Sequence, residues 1–291
     1  MKKNIINRPL PLILLTALCL MACEKEIEID YHQIDPLLTI EGQVTNEGTE
    51  VHITRTRNME DPGQSGSLPG AQVTVTTSGG TTHTIAFDEA AGYYRSTLQG
   101  VAGERYRLQV DFEGQHYEAT STMPRPSAIT STELLWQSIL EERLLIYEVW
   151  ALDPEPDSLN YYWYRLERRS SHPRLVGKKS LLRAFRWSVF DDRGFPPGLV
   201  FNDIICMSAK GAEKDDEDYW ESMLYEGDTL SYRLMTIDRP TFEYFRSLTA
   251  GQSNGANPKS NLTGGCLGYF TAGSITRAAD MVFSYDKIKD K

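Results

Sequence analysis

The chain has 291 residues, which is enough for one to three domains with an ordinary hydrophobic core. Hydrophobic residues make up 40% and charged residues 24% of it, a globular composition that excludes collagen-like, coiled-coil and wholly disordered chains. Forty acidic against thirty basic residues give a net charge of -10, which opposes binding to a phosphate backbone, so we expect no nucleic-acid partner.

Residues 1–22 have the pattern of a secretory signal peptide. A segment with Lys2, Lys3 and Arg8 precedes a mainly apolar run, Leu10–Met21. A membrane-spanning helix needs about 20 apolar residues, so this run is too short to span a bilayer.

The signal ends in a sequence typical of lipoproteins. Leu20-Met21-Ala22-Cys23 resembles a bacterial lipobox, in which the cysteine is acylated and becomes the mature N-terminus. Acyl chains gain about 0.8 kcal/mol per buried methylene, so several chains anchor a protein stably. We predict lipidation at Cys23 and the lipid bilayer as a partner. Cleavage removes three cations and lowers the net charge from -10 to -13.

Residues 23–36 are predicted to form an acidic tether. Cys23-Glu24-Lys25-Glu26 resembles the signal that sends Bacteroidota lipoproteins to the cell surface, although Ile27 stands where a second acid is expected. The alternative is a solvated spacer without export information. The pattern favours an outer-membrane location on the cell-surface face.

Residues 37–123 are predicted to form an immunoglobulin-like β-sandwich. Short runs rich in Thr, Val and Ile alternate with turn residues and give about seven strands, the spacing of such a sandwich. The predicted strands are 37–45, 50–57, 71–77, 81–87, 93–98, 105–112 and 116–122. The run Leu68–Val75, with later Gly-Tyr-Tyr and Gly-Glu-Arg-Tyr sequences, resembles carboxypeptidase-regulatory-like modules. Tyr94 and Tyr106 are expected in the core.

Residues 124–130 are predicted to be a linker, because Pro124 and Pro126 force extended backbone. Residues 131–285 are predicted to form a second β-rich domain with one docked helix near 240–250, so the fold class is mainly β. The expected strands are 143–152, 160–167, 180–190, 199–207 and 228–237. The helix is expected to begin after Asp238, to dock through Phe242 and Phe245, and to stop at Gly251.

No residue pattern indicates metal or cofactor chemistry. After processing, two cysteines remain in the body, Cys206 and Cys266, and there is no C-x-x-C motif or histidine cluster. The sequence leaves open whether these two thiols pair. We predict no metal and no cofactor.

Three patterns resemble catalytic or binding motifs without their context. Gly251–Gly255 matches G-x-S-x-G but follows a predicted helix, whereas a nucleophile elbow follows a strand. Acids at 153, 155 and 157 lie between prolines and lack the distal Glu of an EF-hand. A hydrolase would need converging carboxylates, for which Asp191, Asp192 and Asp203 are the candidates. The prediction is therefore a protein that is not an enzyme.

Two short Asp-Ser/Thr-Leu sequences resemble the sites at which Bacteroidota O-glycosylate envelope proteins. They place Ser158 and Thr229 as candidate acceptors, with Ser158 in an expected exposed turn.

The most specific stretch is residues 257–274, with Asn-Pro, Asn-Leu, Gly-Gly and Leu-Gly-Tyr-Phe in order. It resembles the C-terminal signature of the Bacteroidota lipoproteins catalogued as domain of unknown function 4249, and the likeness covers most of residues 36–285. Cys266 departs from the commoner small or apolar residue, which adds some weight to pairing with Cys206. The stretch is expected to be a folding signature rather than a binding loop.

The resemblance implies an envelope lipoprotein often encoded near TonB-dependent receptors, and it implies no catalytic residues. The leading hypothesis is a non-enzymatic accessory or substrate-capture partner of a TonB-dependent transporter. The alternatives are a structural or adhesive envelope module and a glycan or peptide hydrolase. Four aromatic residues are the candidate ligand contacts, although each also suits a core: Tyr161, Trp163, Trp187 and Trp220.

Overall fold

The structure is a computed structural model that describes most of the chain from residue 35 onward. The described ranges are 35–57, 66–139, 142–170, 172–173, 175–176, 179–181, 188–209 and 223–290. The predicted signal peptide, Cys23 and all but the last two residues of the predicted tether lie outside them.

The described residues hold nineteen strands, one α-helix and a short 3-10 helix, so the mainly-β prediction is confirmed. The strands are β1 Leu38–Thr45, β2 Gly48–Arg55, β3 Gln72–Thr77, β4 Thr82–Thr84, β5 Ala86–Asp88, β6 Tyr93–Ser96, β7 Arg105–Phe112, β8 Gln115–Thr122, β9 Ala128–Ile139, β10 Glu142–Leu152, β11 Tyr161–Arg169, β12 Lys179–Leu181, β13 Val189–Asp191, β14 Leu199–Ser208, β15 Met223–Leu224, β16 Thr229–Ile237, β17 Leu267–Arg277, β18 Met281–Val282 and β19 Lys289–Asp290. The helices are α1 Arg239–Asn254 and the 3-10 turn Tyr285–Lys287.

The described strands form three sheets. A ten-stranded sheet, here the central sheet, runs in the order β12-β11-β16-β17-β1-β2-β6-β5, with β13 also on β11 and β18 on β16. A four-stranded sheet has the order β4-β3-β7-β8, and a five-stranded sheet has the order β15-β14-β10-β9-β19.

Strand β17 joins the two halves of the central sheet. It pairs in parallel with β1, where Phe270 faces Gly42, and antiparallel with β16, where Arg277 faces Arg233. A strand from residues 131–285 therefore completes the central sheet beside the sandwich predicted for residues 37–123. From Pro36 onward the chain forms one compact unit. The linker is also shorter than expected, since β9 already begins at Ala128.

Both smaller sheets pack against the same face of the central sheet. Side chains on a strand alternate between faces, and the face that carries Ile40, Phe270 and Leu234 is apolar along its length. The first core lies between the β1–β2–β6 half and the four-stranded sheet, and the second lies between the β11–β16 half and the five-stranded sheet. The expected core tyrosines, Tyr94 and Tyr106, are buried in the first core.

Residues 257–274 include most of the strand that joins the two halves of the central sheet, and we call this stretch the seam. Its position agrees with a folding signature. The Asn261 side chain makes the two hydrogen bonds to Phe270 of β17 that a neighbouring strand would make. Its Nδ2 donates to the Phe270 carbonyl at 2.8 Å, and its Oδ1 accepts from the Phe270 amide at 2.9 Å. The Ser121 hydroxyl accepts from the Ala272 amide at 2.8 Å and donates to the Asp238 carboxylate at 2.6 Å. Strand β17, strand β8 and the start of α1 are thus tied together.

Helix α1 begins where the sequence predicts and ends later. Asp238 is the N-cap, accepting from the Thr241 amide at 3.0 Å, and the helix is closed by Gly255 with a φ of 70°. The expected stop at Gly251 is wrong, because its carbonyl still accepts the capping bond from the Gly255 amide. The predicted strand 180–190 is seen only as β12 and β13, which both pair with β11, and residues 182–187 lie outside the described ranges.

Substitution of Gly268 is predicted to damage the seam. Its φ is 110°, and an added Cβ would lie 1.9 Å from the Ile40 carbonyl oxygen, so β1 and β17 would have to separate. We expect Gly268→Ala to lower the free energy of unfolding by about 3 kcal/mol or more, measured by urea titration.

The matched control is Gly265→Ala. Gly265 also has a positive φ, 84°, but an added Cβ would meet nothing within 4 Å. Gly265→Ala should therefore lower the free energy of unfolding only by the backbone strain of alanine at a positive φ, about 1–2 kcal/mol. Equal losses for the two variants would contradict a tight β1–β17 seam.

Candidate functional site

A cavity of about 570 Å³ lies between α1 and the adjoining loops of the second region, and we name it the cationic hollow. Four basic and two aromatic side chains line most of it: Tyr161, Arg193, Arg239, Phe242, Arg246 and Lys259. The volume lies in the range of small-molecule sites.

Two aromatic rings form the floor of the hollow. Tyr161, at the start of β11, and Phe242, in the first turn of α1, have ring centroids 4.7 Å apart. The Arg246 guanidinium lies 5.6 Å from the Phe242 centroid, one helical turn farther along the same face. The floor therefore offers apolar rings with a cation beside them.

Only part of the positive charge in the hollow is neutralised. Arg193 donates two hydrogen bonds to Asp191, at 2.6 and 3.0 Å, which lower the pKa of that carboxyl. Arg239 donates to Glu243 at 2.7 Å. Arg246 and Lys259 are exposed, and neither side chain hydrogen-bonds to any described residue. The hollow is thus a locally cationic surface on a chain of net charge -10.

A second depression of about 390 Å³ adjoins the hollow on the other side of Arg246. Its lining includes Tyr164, Phe190 and Asn202, so it continues the combination of rings and polar groups toward the five-stranded sheet. A ligand with an anionic group and an apolar body would match the two depressions together.

The four aromatic residues proposed as ligand contacts lie in different surroundings. Tyr161 lines the hollow, as expected of a contact. Trp163 is 2% exposed and packs on Phe245 at 4.6 Å, so it belongs to the core beneath α1 and its proposed role as a contact is wrong. Trp187 and Trp220 lie outside the described residues.

Two of the acids considered for hydrolysis, Asp191 and Asp192, have structural partners, and the third lies on another strand. Asp192 and Asp153 both accept from the Asn160 side-chain amide, at 2.9 and 2.8 Å, and this amide also holds the 153–158 turn. Burial, with the charge of Asp192, raises the pKa of Asp153. Asp203 faces solvent on β14. Ser253 lies in the last turn of α1, which is not the strand-to-helix turn of a nucleophile elbow.

The two body cysteines are free thiols in separate cores. Cys206, on β14, belongs to the second core, and Cys266, just before β17, belongs to the first. The disulfide that the sequence left open is therefore absent from the structure. Burial raises the pKa of Cys206 to about 12 and that of Cys266 to about 11, so both stay protonated at neutral pH.

The candidate modification sites differ in exposure. Ser158 is exposed in the 153–158 turn, as expected, whereas Thr229 is half-buried at the start of β16 and pairs with Arg169 and Val282. Among the described residues, no group of three or more His, Cys, Asp or Glu side chains is placed to hold a metal ion. No described helix is both long and apolar enough to cross a membrane.

Sequence reasoning missed the basic residues of the hollow. Arg239 and Arg246 are seven residues apart, so they lie on one face of a helix, and that spacing was available as a signal. Arg193 and Lys259 come from loops that only the tertiary fold brings to this face.

The chain is similar to a known protein family. A family model described as Domain of unknown function (DUF4249) matches residues 24–279. No curated protein matches the chain.

The different roles of Tyr161 and Trp163 predict different costs of truncation. Trp163→Ala leaves a cavity under α1 and should lower the free energy of unfolding by about 3–5 kcal/mol. Tyr161→Ala removes a half-buried ring and should cost about 1–2 kcal/mol. Urea titration of the two variants measures both values, and an equal cost would show that Tyr161 is a core residue rather than the floor of an open site.

Proposed function

The chain belongs to the DUF4249 family, and we propose that it is a lipid-anchored, surface-facing outer-membrane lipoprotein that captures substrate for a TonB-dependent transporter or assists it without catalysis of its own. The observation that carries the proposal is the sequence Leu20-Met21-Ala22-Cys23 at the end of a short apolar run. The family match starts at Glu24, the residue after Cys23, which agrees with a mature protein that begins at the cysteine.

The length of chain after Cys23 supports a role beside another membrane protein. Twelve residues, 24–35, separate Cys23 from Pro36, where the compact unit begins. At about 3.3 Å per extended residue, such a segment reaches roughly 40 Å. A body on a tether of that reach can contact the outer loops of a neighbouring receptor.

The cationic hollow supports the capture part of the proposal. It combines Tyr161 and Phe242 with the unpaired cations Arg246 and Lys259, a lining that suits a ligand with an anionic group and an apolar body. Asp191 is held in an ion pair with Arg193, Asp192 accepts from Asn160, and Ser253 lies at a helix end, which favours binding over hydrolysis.

Two finer assignments belong to the same proposal. A Bacteroidota source is suggested by the Lys-and-acid sequence after Cys23. An immunoglobulin-like class for the first sandwich is suggested by its short antiparallel strands and its buried Tyr94 and Tyr106.

Lipidation of Cys23 is tested with two cysteine variants. Cys23→Ala should lose incorporation of labelled palmitate and leave the membrane fraction, because it removes the acylated thiol. Cys19→Ala is the matched control, since it removes a cysteine four residues away inside the apolar run and should keep both. Retention of label by Cys23→Ala would contradict the anchor.

The partnership is tested by affinity purification of the intact lipoprotein from detergent-solubilised outer membranes, followed by mass spectrometry. We expect one β-barrel receptor in stoichiometric amount, and its loss with Cys23→Ala. Recovery of the lipoprotein without any receptor would contradict the transporter role and favour a structural or adhesive module.

A further inference from the structure

The face of the central sheet opposite the two cores is only partly covered. Helix α1 packs over the end that carries Trp163, Met235 and Tyr269. Beyond the helix, strands β1, β2, β6, β16 and β17 line an open cavity of about 670 Å³, which we name the central groove. It is separate from the cationic hollow, with which it shares no lining residue.

Most charges in the central groove are neutralised by neighbours. Arg277 donates two hydrogen bonds to Glu47, both at 2.6 Å. Arg95 pairs with Asp88 at 2.6 Å. These pairs sit at opposite ends of the groove and leave two lining charges to account for, those of Arg233 and Glu50.

Arg233 forms no direct ion pair with a described residue. It lies directly between Arg165 and Arg277 on the neighbouring strands, and like charges opposite each other destabilise a sheet. No described residue hydrogen-bonds to Arg233, although it lies 5.9 Å from the Trp163 ring centroid. Burial and the two neighbouring guanidinium groups lower its pKa, against the weaker attraction of Glu167 and Glu47.

Glu50 is the complementary anion. Its Oε2 accepts from Gln43 Nε2 at 3.0 Å, and its Oε1 is 3.5 Å from the Tyr93 hydroxyl, both neutral partners. Arg95 stands opposite it on β6 but turns to Asp88. His52 is also near, but burial lowers its pKa, so it is neutral at pH 7.

Buried polar atoms near the groove also lack partners. Gln43 Oε1, Thr271 Oγ1 and Arg165 Nε have no hydrogen bond, and all three lie on this face of the central sheet. Gln43 and Thr271 occupy directly opposed positions on β1 and β17. Unpaired buried polar atoms are uncommon in native proteins and favour water or a ligand beside them.

We propose that the central groove binds a small zwitterionic ligand, of the class of short peptides with free termini, whose carboxylate pairs with Arg233 and whose ammonium group pairs with Glu50. A guanidinium matches a carboxylate through two parallel hydrogen bonds. The Glu50 carboxylate, whose neighbour Gln43 is neutral, can form an ion pair with an ammonium group. Arg233 and Glu50 would each gain a direct ion-pair partner in this way.

The dimensions limit the length of the ligand. Strands β16 and β2 are three steps apart in the central sheet, which is about 14 Å at roughly 4.8 Å per step. Arg233 is opposite Arg277 on β17, whereas Glu50 is level with Thr271 through Gln43, so the two residues also differ by about 20 Å along the strands. The Arg233 and Glu50 side chains shorten the resulting backbone separation of about 24 Å. An extended peptide advances about 3.3–3.6 Å per residue, which points to a peptide of three to six residues.

The charge balance argues against a polyanion. The lining has three cations, Arg95, Arg233 and Arg277, and three carboxylates, Glu47, Glu50 and Asp88. Such a neutral lining repels a multiply charged anion through Glu50, whereas a zwitterion adds no net charge. The inference concerns this groove alone and goes beyond the proposed function, since it needs neither the lipid anchor nor a transporter.

The test is isothermal titration calorimetry of the full chain in detergent with glycine oligomers of one to seven residues. Saturable binding with an optimum at three to six residues is expected. Blocking the amino terminus by acetylation or the carboxylate by amidation should each weaken binding at least about tenfold. Absence of saturable binding across the series would overturn the proposal.

Single variants test which group of the ligand Arg233 and Glu50 each contact. Arg233→Gln should weaken binding of triglycine at least about tenfold but leave triglycine amide unchanged, because that ligand has no carboxylate. Equal weakening of the two ligands would overturn the assignment. Glu50→Gln should weaken triglycine equally but leave N-acetyl-triglycine unchanged, because that ligand has no ammonium group. Arg107→Gln, on the four-stranded sheet, is the control and should leave every affinity unchanged.

Urea titration separates lost binding from lost folding. Arg233 forms no direct ion pair with a described residue and faces two other arginines, so Arg233→Gln should be at least as stable as the parent chain. A marked loss of stability in Arg233→Gln would mean that the charge supports the fold, and it would overturn its role as a ligand contact.

Discussion

The structure depends on one strand that pairs on both sides. β17 is hydrogen-bonded in parallel to β1, the first strand of the chain's compact unit, and antiparallel to β16, from the second region. The approach to β1 is so close that Gly268 has no room for a side chain, and Asn261 satisfies backbone groups that no strand reaches. Because β17 contributes Phe270 and Ala272 to the first core, the sandwich of residues 37–123 is incomplete until the end of the chain is in place.

This connection gives the central sheet two faces with different chemistry. One face is apolar along its length because two smaller sheets cover it side by side. Among the described elements, only α1 packs on the other face. Beyond the helix this face carries charge, and arginines stand directly opposite one another on β11, β16 and β17. Both candidate sites follow from this arrangement: the cationic hollow lies beside α1, and the central groove lies where α1 no longer covers the sheet.

Local signals in the sequence predicted the elements well and their association poorly. Alternation of apolar and polar residues placed β1, β16 and eight other strands within one or two residues, and Asp238 with Pro240 marked the start of α1. It did not place the long strand β9. Prolines mark a break in the chain, but local signals do not reveal contacts between residues 229 positions apart, such as those of Asn46 with Ile275. Of the proposed contacts, Tyr161 and Trp163 differ by two residues and face the same side of β11, and only the position of α1 decides that one lines a hollow and the other is buried.

The most direct test of this account is native-state hydrogen exchange of the full chain in increasing urea. If β17 makes one cooperative unit of the two regions, the slowest amides of β2 and β7 should share one opening free energy and one urea dependence with those of β10 and β16. Two separate isotherms, with the first region keeping its protection after the second has lost it, would show that residues 37–123 fold without β17 and would contradict the account.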